Sequence, residues 1–226
     1  TAVGTHVYNL AGQHGKRVQS MMGAKNHVVV MPDANKEQTL NALVGAAFGA
    51  AGQRCMALSV AVMVGETKHW VDELVIKTKT LSVNAGHEPN TDVGPVISPR
   101  AKARILDLIN SGIAQGAEIL LDGRDVQVKG YEQGNFVGPT IFNQINTEMR
   151  IYKEEIFGPV LAIIHVDTLD EAIALVNANP FGNGVGLFTQ SGTTARIFQN
   201  SIDIGQVGIN IPIPVPVPFF SFTGSR

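Results

Sequence analysis

Asn35-Lys-Glu-Gln-Thr-Leu-Asn-Ala-Leu-Val-Gly-Ala-Ala-Phe-Gly-Ala-Ala-Gly-Gln-Arg-Cys-Met-Ala-Leu-Ser-Val-Ala-Val-Met-Val64 holds a helix, an abrupt stop and a strand in one short run. Leu40, Leu43, Val44, Ala47, Phe48 and Ala51 recur at the three-and-four spacing of a single buried face, which predicts a helix over residues 35–51. Gly52 follows the last periodic position, where a left-handed stop costs least for a residue without Cβ. Residues 58–64, apolar apart from Ser59, then read as a buried strand, so Cys55 falls in the junction between helix and strand.

The same alternation continues downstream. Residues 67–80 predict a second helix with Trp70, Val71, Leu74 and Val75 inward. Ser98-Pro99 opens a third as N-cap and first-turn proline, with Ile105, Leu108, Ile109 and Ile113 as its core face. Thr168-Leu-Asp-Glu171 is a capping box, in which the two side chains satisfy orphan backbone donors reciprocally, and its helix should end at Asn179-Pro180. Residues 117–121, 137–142, 159–166, 186–189 and 206–211 are further strand candidates. Continuously apolar strands alternating with helices imply a mostly parallel open sheet with helices on both faces, the α/β class. In Ile211-Pro-Ile-Pro-Val-Pro-Val-Pro218 every second residue lacks the N–H a ladder needs, so this is an extended wall or edge segment. Neither Thr1-Ala-Val-Gly4 nor Phe222-Thr-Gly-Ser-Arg226 resembles a finished terminus, and both ends read as cut.

With 44% hydrophobic and 16% charged residues, the 226-residue chain can bury a sizeable core. A net charge of -2 without any block of like charges offers neither a nucleic-acid groove nor a membrane-surface patch. No apolar run is long enough to cross a bilayer, and the first residues do not read as a signal peptide. The lone Cys55 excludes an internal disulfide and fits a reducing compartment. The six histidines lack the i, i+4 spacing of a helical metal pair, so no metal site is expected. Gly182-Asn-Gly-Val-Gly186 has the glycine spacing of a phosphate loop but runs into an apolar stretch instead of a helix, and reads as a flexible turn.

A free cysteine is usually inert packing. Arg54 beside it favours the thiolate, the nucleophilic form. The chemistry turns on context. Met21-Met-Gly-Ala-Lys25, Gly52-Gln-Arg-Cys55 and Glu154-Glu-Ile-Phe-Gly-Pro159, in this order and at these separations, resemble the three sequence landmarks of the aldehyde dehydrogenase superfamily, and the resemblance spans essentially the whole chain. Thr1-Ala-Val-Gly4 resembles the end of that family's Gly-Ser-Thr-x-x-Gly turn. The resemblance therefore implies that residues 1–25 are the remnant of an NAD-binding domain. Residues 26–226 would form the catalytic domain, stopping before the C-terminal oligomerisation segment.

By that resemblance Cys55 is the nucleophile, forming a thiohemiacetal and then a thioester, and its backbone N–H is half of the oxyanion site. Glu155 would hold the nicotinamide ribose, Phe157 would pack near the nicotinamide ring, and Gly4 would belong to the cofactor turn. Taken singly, Glu155 reads more readily as a solvated carboxylate and Phe157 as a plain core ring, and only the motif assigns them otherwise. Met21 stands where most members carry the catalytic glutamate, and a thioether cannot take a proton from water. A thiol acceptor needs less help, and members that release acyl-CoA, the methylmalonate-semialdehyde branch, also lack that glutamate. Gly-Ala-Lys-Asn-His27, Phe48-Gly-Ala-Ala-Gly-Gln-Arg-Cys-Met-Ala57, Lys153-Glu-Glu-Ile-Phe157 and Phe220-Ser-Phe-Thr-Gly-Ser-Arg226 resemble the same branch, although it usually has asparagine at the position of Met21. Arg54 would then grip the substrate carboxylate through its planar fork of donors, where otherwise it would pair with a surface acid.

The implied activity is NAD-dependent, CoA-acylating oxidation of methylmalonate and malonate semialdehydes, in valine and pyrimidine or inositol catabolism. The compartment would be the mitochondrial matrix in a eukaryote or the cytoplasm in a bacterium. A homodimer or homotetramer is implied, with this portion alone weakly active. A CoA-independent dehydrogenase releasing a free acid, and a non-catalytic descendant of the fold, are the alternatives.

Overall fold

The computed structural model describes residues 1–212, 214, 215 and 217–220. Ile213 and Pro216 of the proline segment, and the stretch 221–226 of the C-terminal motif, lie outside the described residues. In chain order the elements are α1 (Ala2–Gln13), β1 (Asn26–Val30), α2 (Lys36–Phe48), β2 (Leu58–Val64), α3 (Val71–Lys79), α4 (Pro99–Ala114) and β3 (Glu118–Leu121). They continue with β4 (Thr140–Asn143), α5 (Arg150–Lys153), β5 (Val160–Val166), α6 (Leu169–Asn177), β6 (Gly184–Phe188), α7 (Gly192–Ser201) and β7 (Gln206–Ile209).

The strands form one seven-stranded sheet in the order β3-β4-β5-β2-β1-β6-β7. Every neighbouring pair is parallel except β3 with β4. All five residues of β1 and of β6 are buried, as are all but one of β2, so both faces of the sheet centre are covered. The mostly parallel α/β architecture expected from the alternation is the one observed. Among the described residues no helix is long and apolar enough to cross a membrane.

Local rules account for most of the helices. Asn35 caps α2 by accepting from Gln38 N at 3.0 Å, and Ser98 caps α4 by accepting from Ala101 N at 3.2 Å. Thr168 accepts from Glu171 N at 3.2 Å, while Glu171 reaches back one residue further than expected, to the N–H of Asp167 at 2.8 Å.

Several expectations require correction. Residues 67–70 belong to a 3-10 turn, Gly65–Trp70, that precedes α3. Ile113 is 37% exposed, and Gly112 takes the inward place on α4, where a Cβ would stand 2.9 Å from Ile151 Cδ1. Gly184 lies in β6 and not in a flexible turn, so the strand expected from residue 186 starts two residues earlier; Gly186 is in β6 as well. Their missing side chains make room for close crossings, since Cβ atoms there would meet Met56 Cε and the Ile211 carbonyl oxygen, each at 2.7 Å. Four elements had no sequence expectation, among them the single-turn α5, which buries Ile151 and Tyr152. β1 is a five-residue run opened by the polar Asn26-His27, α7 buries only Phe198, and α1 buries nothing.

Candidate active site

The cysteine loop begins where α2 ends. Its 3-10 turn, Gly49–Gly52, places Ala50, Ala51 and Gly52 at φ 53, 53 and 68, a left-handed run that an L-alanine enters at a cost of roughly 1–2 kcal/mol. The turn reverses the chain so that Cys55 emerges exposed just before β2. Gln53 fastens the turn to a neighbouring loop: its Oε1 accepts from Ile97 N at 2.9 Å and its Nε2 donates to Ala50 O at 3.3 Å. The Cys55 carbonyl accepts from Asn26 Nδ2 at 2.9 Å and from Asn183 Nδ2 at 3.1 Å, which orients the peptide that follows the thiol. The Cys55 N–H has no acceptor among the described residues, as a donor kept for an oxyanion requires.

Arg54 turns back onto the helix. Its Nη2 donates to Ala46 O at 2.8 Å and to Gly45 O at 3.1 Å, two carbonyls in the last turn of α2. Both fork edges of a guanidinium share Nη2, so the two-point grip expected on a carboxylate is already half engaged within the protein. What is left is Nη1, Nε and the charge.

The facing wall comes from the loop between α5 and β5. Lys25 is 2% exposed, and its Nζ donates to Ile151 O at 2.6 Å and to Glu154 O at 2.7 Å. Burial pulls this ammonium down from 10.5 to about 7, with the negative charge of Glu155 working in the opposite direction. From α4, Arg104 donates to Glu155 O at 2.6 Å and Ile156 O at 2.9 Å. Two basic side chains thus hold the main chain that carries Glu155. The carboxylate of Glu155 accepts from Ala24 N at 3.1 Å through Oε1, and a Cβ at Gly23 would stand 3.0 Å from Oε2. Phe157 sits at φ 57 with its ring 44% exposed. The two loops touch through glycine, since a Cβ on Gly52 would overlap the Gly158 carbonyl.

Arg54, Cys55, Glu155 and Phe157 therefore line one cleft together with Asn26 and Gly158. Met21 and Gly4 do not line it. Met21 is 55% exposed on the segment leading to Gly23. Gly4 lies in the first turn of α1, where backbone N–H groups lack intrahelical partners, and a Cβ there would meet Met22 Cγ at 2.7 Å. His27 is buried, 3.2 Å from Tyr152 OH through Nε2, and burial lowers its pKa to about 3. Among the described residues no group of three or more His, Cys, Asp or Glu could hold a metal ion.

A model of the aldehyde dehydrogenase family matches residues 1–226. The chain belongs to the aldehyde dehydrogenase family. A mitochondrial methylmalonate-semialdehyde/malonate-semialdehyde dehydrogenase [acylating] of Bos taurus is 64% identical over 223 residues, covering 99% of this chain and 42% of that protein. The Homo sapiens protein of the same name is 63% identical over the same length. Among solved structures, one named for a methylmalonate-semialdehyde dehydrogenase of Sinorhizobium meliloti complexed with NAD superposes with a TM-score of 0.97 at 46% identity. It covers 99% of this chain and 46% of that one. The Oceanimonas doudoroffii enzyme gives a TM-score of 0.96 at 44% identity, with the same coverage. The chain spans less than half the length of these relatives.

Within this aldehyde dehydrogenase chain, four residues that build the site escaped the sequence reading: Lys25, Asn26, Arg104 and Asn183. Each acts by donating from a side chain to a main-chain oxygen well away in sequence. Their only sequence signal was position. Lys25 closes the first aldehyde dehydrogenase landmark, and Asn183 sits in the glycine-rich stretch set aside as a turn.

Proposed function

We propose that the whole protein oxidises methylmalonate semialdehyde, and malonate semialdehyde, to acyl-CoA with NAD, and that Cys55 carries the acyl group. The observation that carries this reading is the cleft where exposed Cys55 meets Arg54, Glu155 and Phe157, with Met21 at the place of the family's catalytic glutamate. The names of the curated relatives support the substrate and the acylating reaction.

The nicotinamide end of NAD fits the residues present. Glu155 Oε1 is fixed by Ala24 N, the bare backbone of Gly23 leaves space beside Oε2, and the Phe157 ring is available to pack on an aromatic face. When bound, NAD accepts hydride. On the protein side, the Cys55 sulfur bonds to the aldehyde carbon, and the oxygen that becomes negative faces the unclaimed Cys55 N–H. Arg54 presents its remaining N–H groups and charge to the substrate carboxylate. Departure of hydride leaves a thioester on Cys55.

At position 21 a thioether cannot recruit water, so the acyl group leaves to a thiol. The CoA sulfur bonds to the thioester carbon, the bond to Cys55 breaks and the Cys55 thiolate is restored. The bond between the α-carbon and the substrate carboxylate breaks with uptake of one water, whose oxygen goes to the carboxyl carbon as bicarbonate while the α-carbon takes a proton, giving propionyl-CoA or acetyl-CoA. Residues 1–25 belong to the cofactor side and residues 26–226 to the catalytic domain. This division is supported by an α1 without buried residues and by a sheet whose first strand starts at Asn26. In a eukaryote the compartment is the mitochondrial matrix, in keeping with the relatives' names, and in a bacterium the cytoplasm.

The test is NADH formation by the whole protein at saturating semialdehyde, with and without CoA. Turnover that requires CoA is expected. Equal rates without CoA, with free acid as product, overturn the acylating assignment.

A further inference from the structure

The end of α2 does more than lead into the cysteine loop. Helix carbonyls in a last turn lack intrahelical donors and carry the negative end of the helix dipole. Here one nitrogen of Arg54 takes two carbonyls of that turn: Ala46 O, and Gly45 O, which also accepts the N–H of the C-cap residue Gly49. The approach is possible because of Gly49. Its backbone passes beneath the guanidinium, and a Cβ there would stand 3.1 Å from Nη2 and 3.5 Å from Cζ. Gly49 itself has φ -55 and ψ 137, a conformation open to any residue. The absence of a side chain therefore answers to Arg54 and not to the backbone.

The consequence is directional. Arg54 borders the cleft of Cys55 on one side and, on the other, a groove between α2 and the segment carrying Pro212 and Val215. With Nη2 fixed to the helix, the guanidinium can offer only Nη1 and Nε, and it does so from one position.

We propose that the carbonyl pair Gly45 and Ala46, reached across the bare backbone of Gly49, is the positioning element that aims Arg54 at the carboxylate of a substrate on Cys55, making Gly49 a specificity-determining residue. This rests on the reading of Arg54 as the carboxylate-binding residue. It deepens that reading, because preference for an anionic substrate then depends on the helix end as well as on the arginine.

Because Cys55 is the only cysteine among these 226 residues, alkylation of this chain reports on this place alone. The experiment compares second-order rates of Cys55 alkylation by iodoacetate, an anion, and by iodoacetamide, its neutral counterpart, at low ionic strength. The ratio of the two rates cancels changes in thiol reactivity. In the unaltered protein the ratio is expected to exceed that of free cysteine by about fivefold, the size of a cation a few ångströms away at a wet surface. Arg54→Gln brings it to the free-cysteine value. Gly49→Val, whose branched side chain suits the local backbone but fills the cradle, gives the same fall while circular dichroism stays unchanged. Gly49→Ala gives a smaller fall in the same direction, and supplies the readout should the valine variant unfold.

A ratio that falls with Arg54→Gln but stays at the parent value in the folded Gly49 variants overturns the cradle and leaves the carboxylate reading standing. A ratio insensitive to Arg54→Gln overturns the carboxylate reading itself.

Discussion

Gly52 and Gly158 are pressed backbone to backbone, so that the loop of the thiol and the loop of the proposed ribose-binding carboxylate meet where neither residue has a side chain. Gly52 is also left-handed, at φ 68. Gly52→Ala must bear both the left-handed penalty and a collision with a main-chain oxygen, which together cost about 3 kcal/mol. For a domain of this size that lowers Tm by roughly 10 °C in a thermal melt. Ala50→Gly is the control: Ala50 is exposed at φ 53, and removing its Cβ is expected to leave Tm unchanged or raise it.

Lys25→Met keeps the length of the side chain and removes both hydrogen bonds from Nζ, leaving Ile151 O and Glu154 O without their donor. A loss of about 2–4 kcal/mol in urea unfolding is expected. The pH dependence identifies the cause. The folded pKa of about 7 lies below the ordinary 10.5, so the unfolded chain holds the proton over an interval in which the folded one has released it. Stability from this group therefore rises with pH between about 7 and 10.5, and that rise should be missing from the variant.

Periodicity and capping made the architecture legible. Asn35, Ser98 and Thr168 mark helix starts that are real, and residues 58–64 form the buried strand that their apolar run predicts. β1 was not legible, because Asn26-His27 hides the start of a strand whose apolar part is only Val28-Val-Val30. The cleft was readable only in its landmark residues. Lys25 and Arg104 bind carbonyl oxygens far away along the chain, and no local pattern encodes such a partner. Gly184 was misread because the crowding it relieves comes from Met56, brought near only by the fold.

His27 predicts an acid limit. Its folded pKa of about 3 lies below the ordinary 6.5, so the unfolded chain takes up a proton at a pH where the buried ring does not. Stability from this group should be level above about pH 6.5 and fall as pH drops toward 3. In chemical denaturation at stepped pH, His27→Gln should flatten this part of the profile; an unchanged slope would assign it to other groups.

Met21→Glu should restore a proton acceptor at an exposed position that tolerates charge. In the whole protein the expected result is a rise of at least roughly tenfold in CoA-independent release of free acid, with little change in the CoA-dependent rate. Product analysis by mass spectrometry after single turnovers distinguishes this from leakage of NADH alone.

Lys25 and Arg104 hold the 151–156 segment by its oxygens and by none of its side chains, Glu154 aside. Such tethers are indifferent to which amino acids the segment displays. Substitution of its outward side chains is therefore expected to alter the rim of the cleft while the two basic residues beneath keep the acid of that loop at the same height.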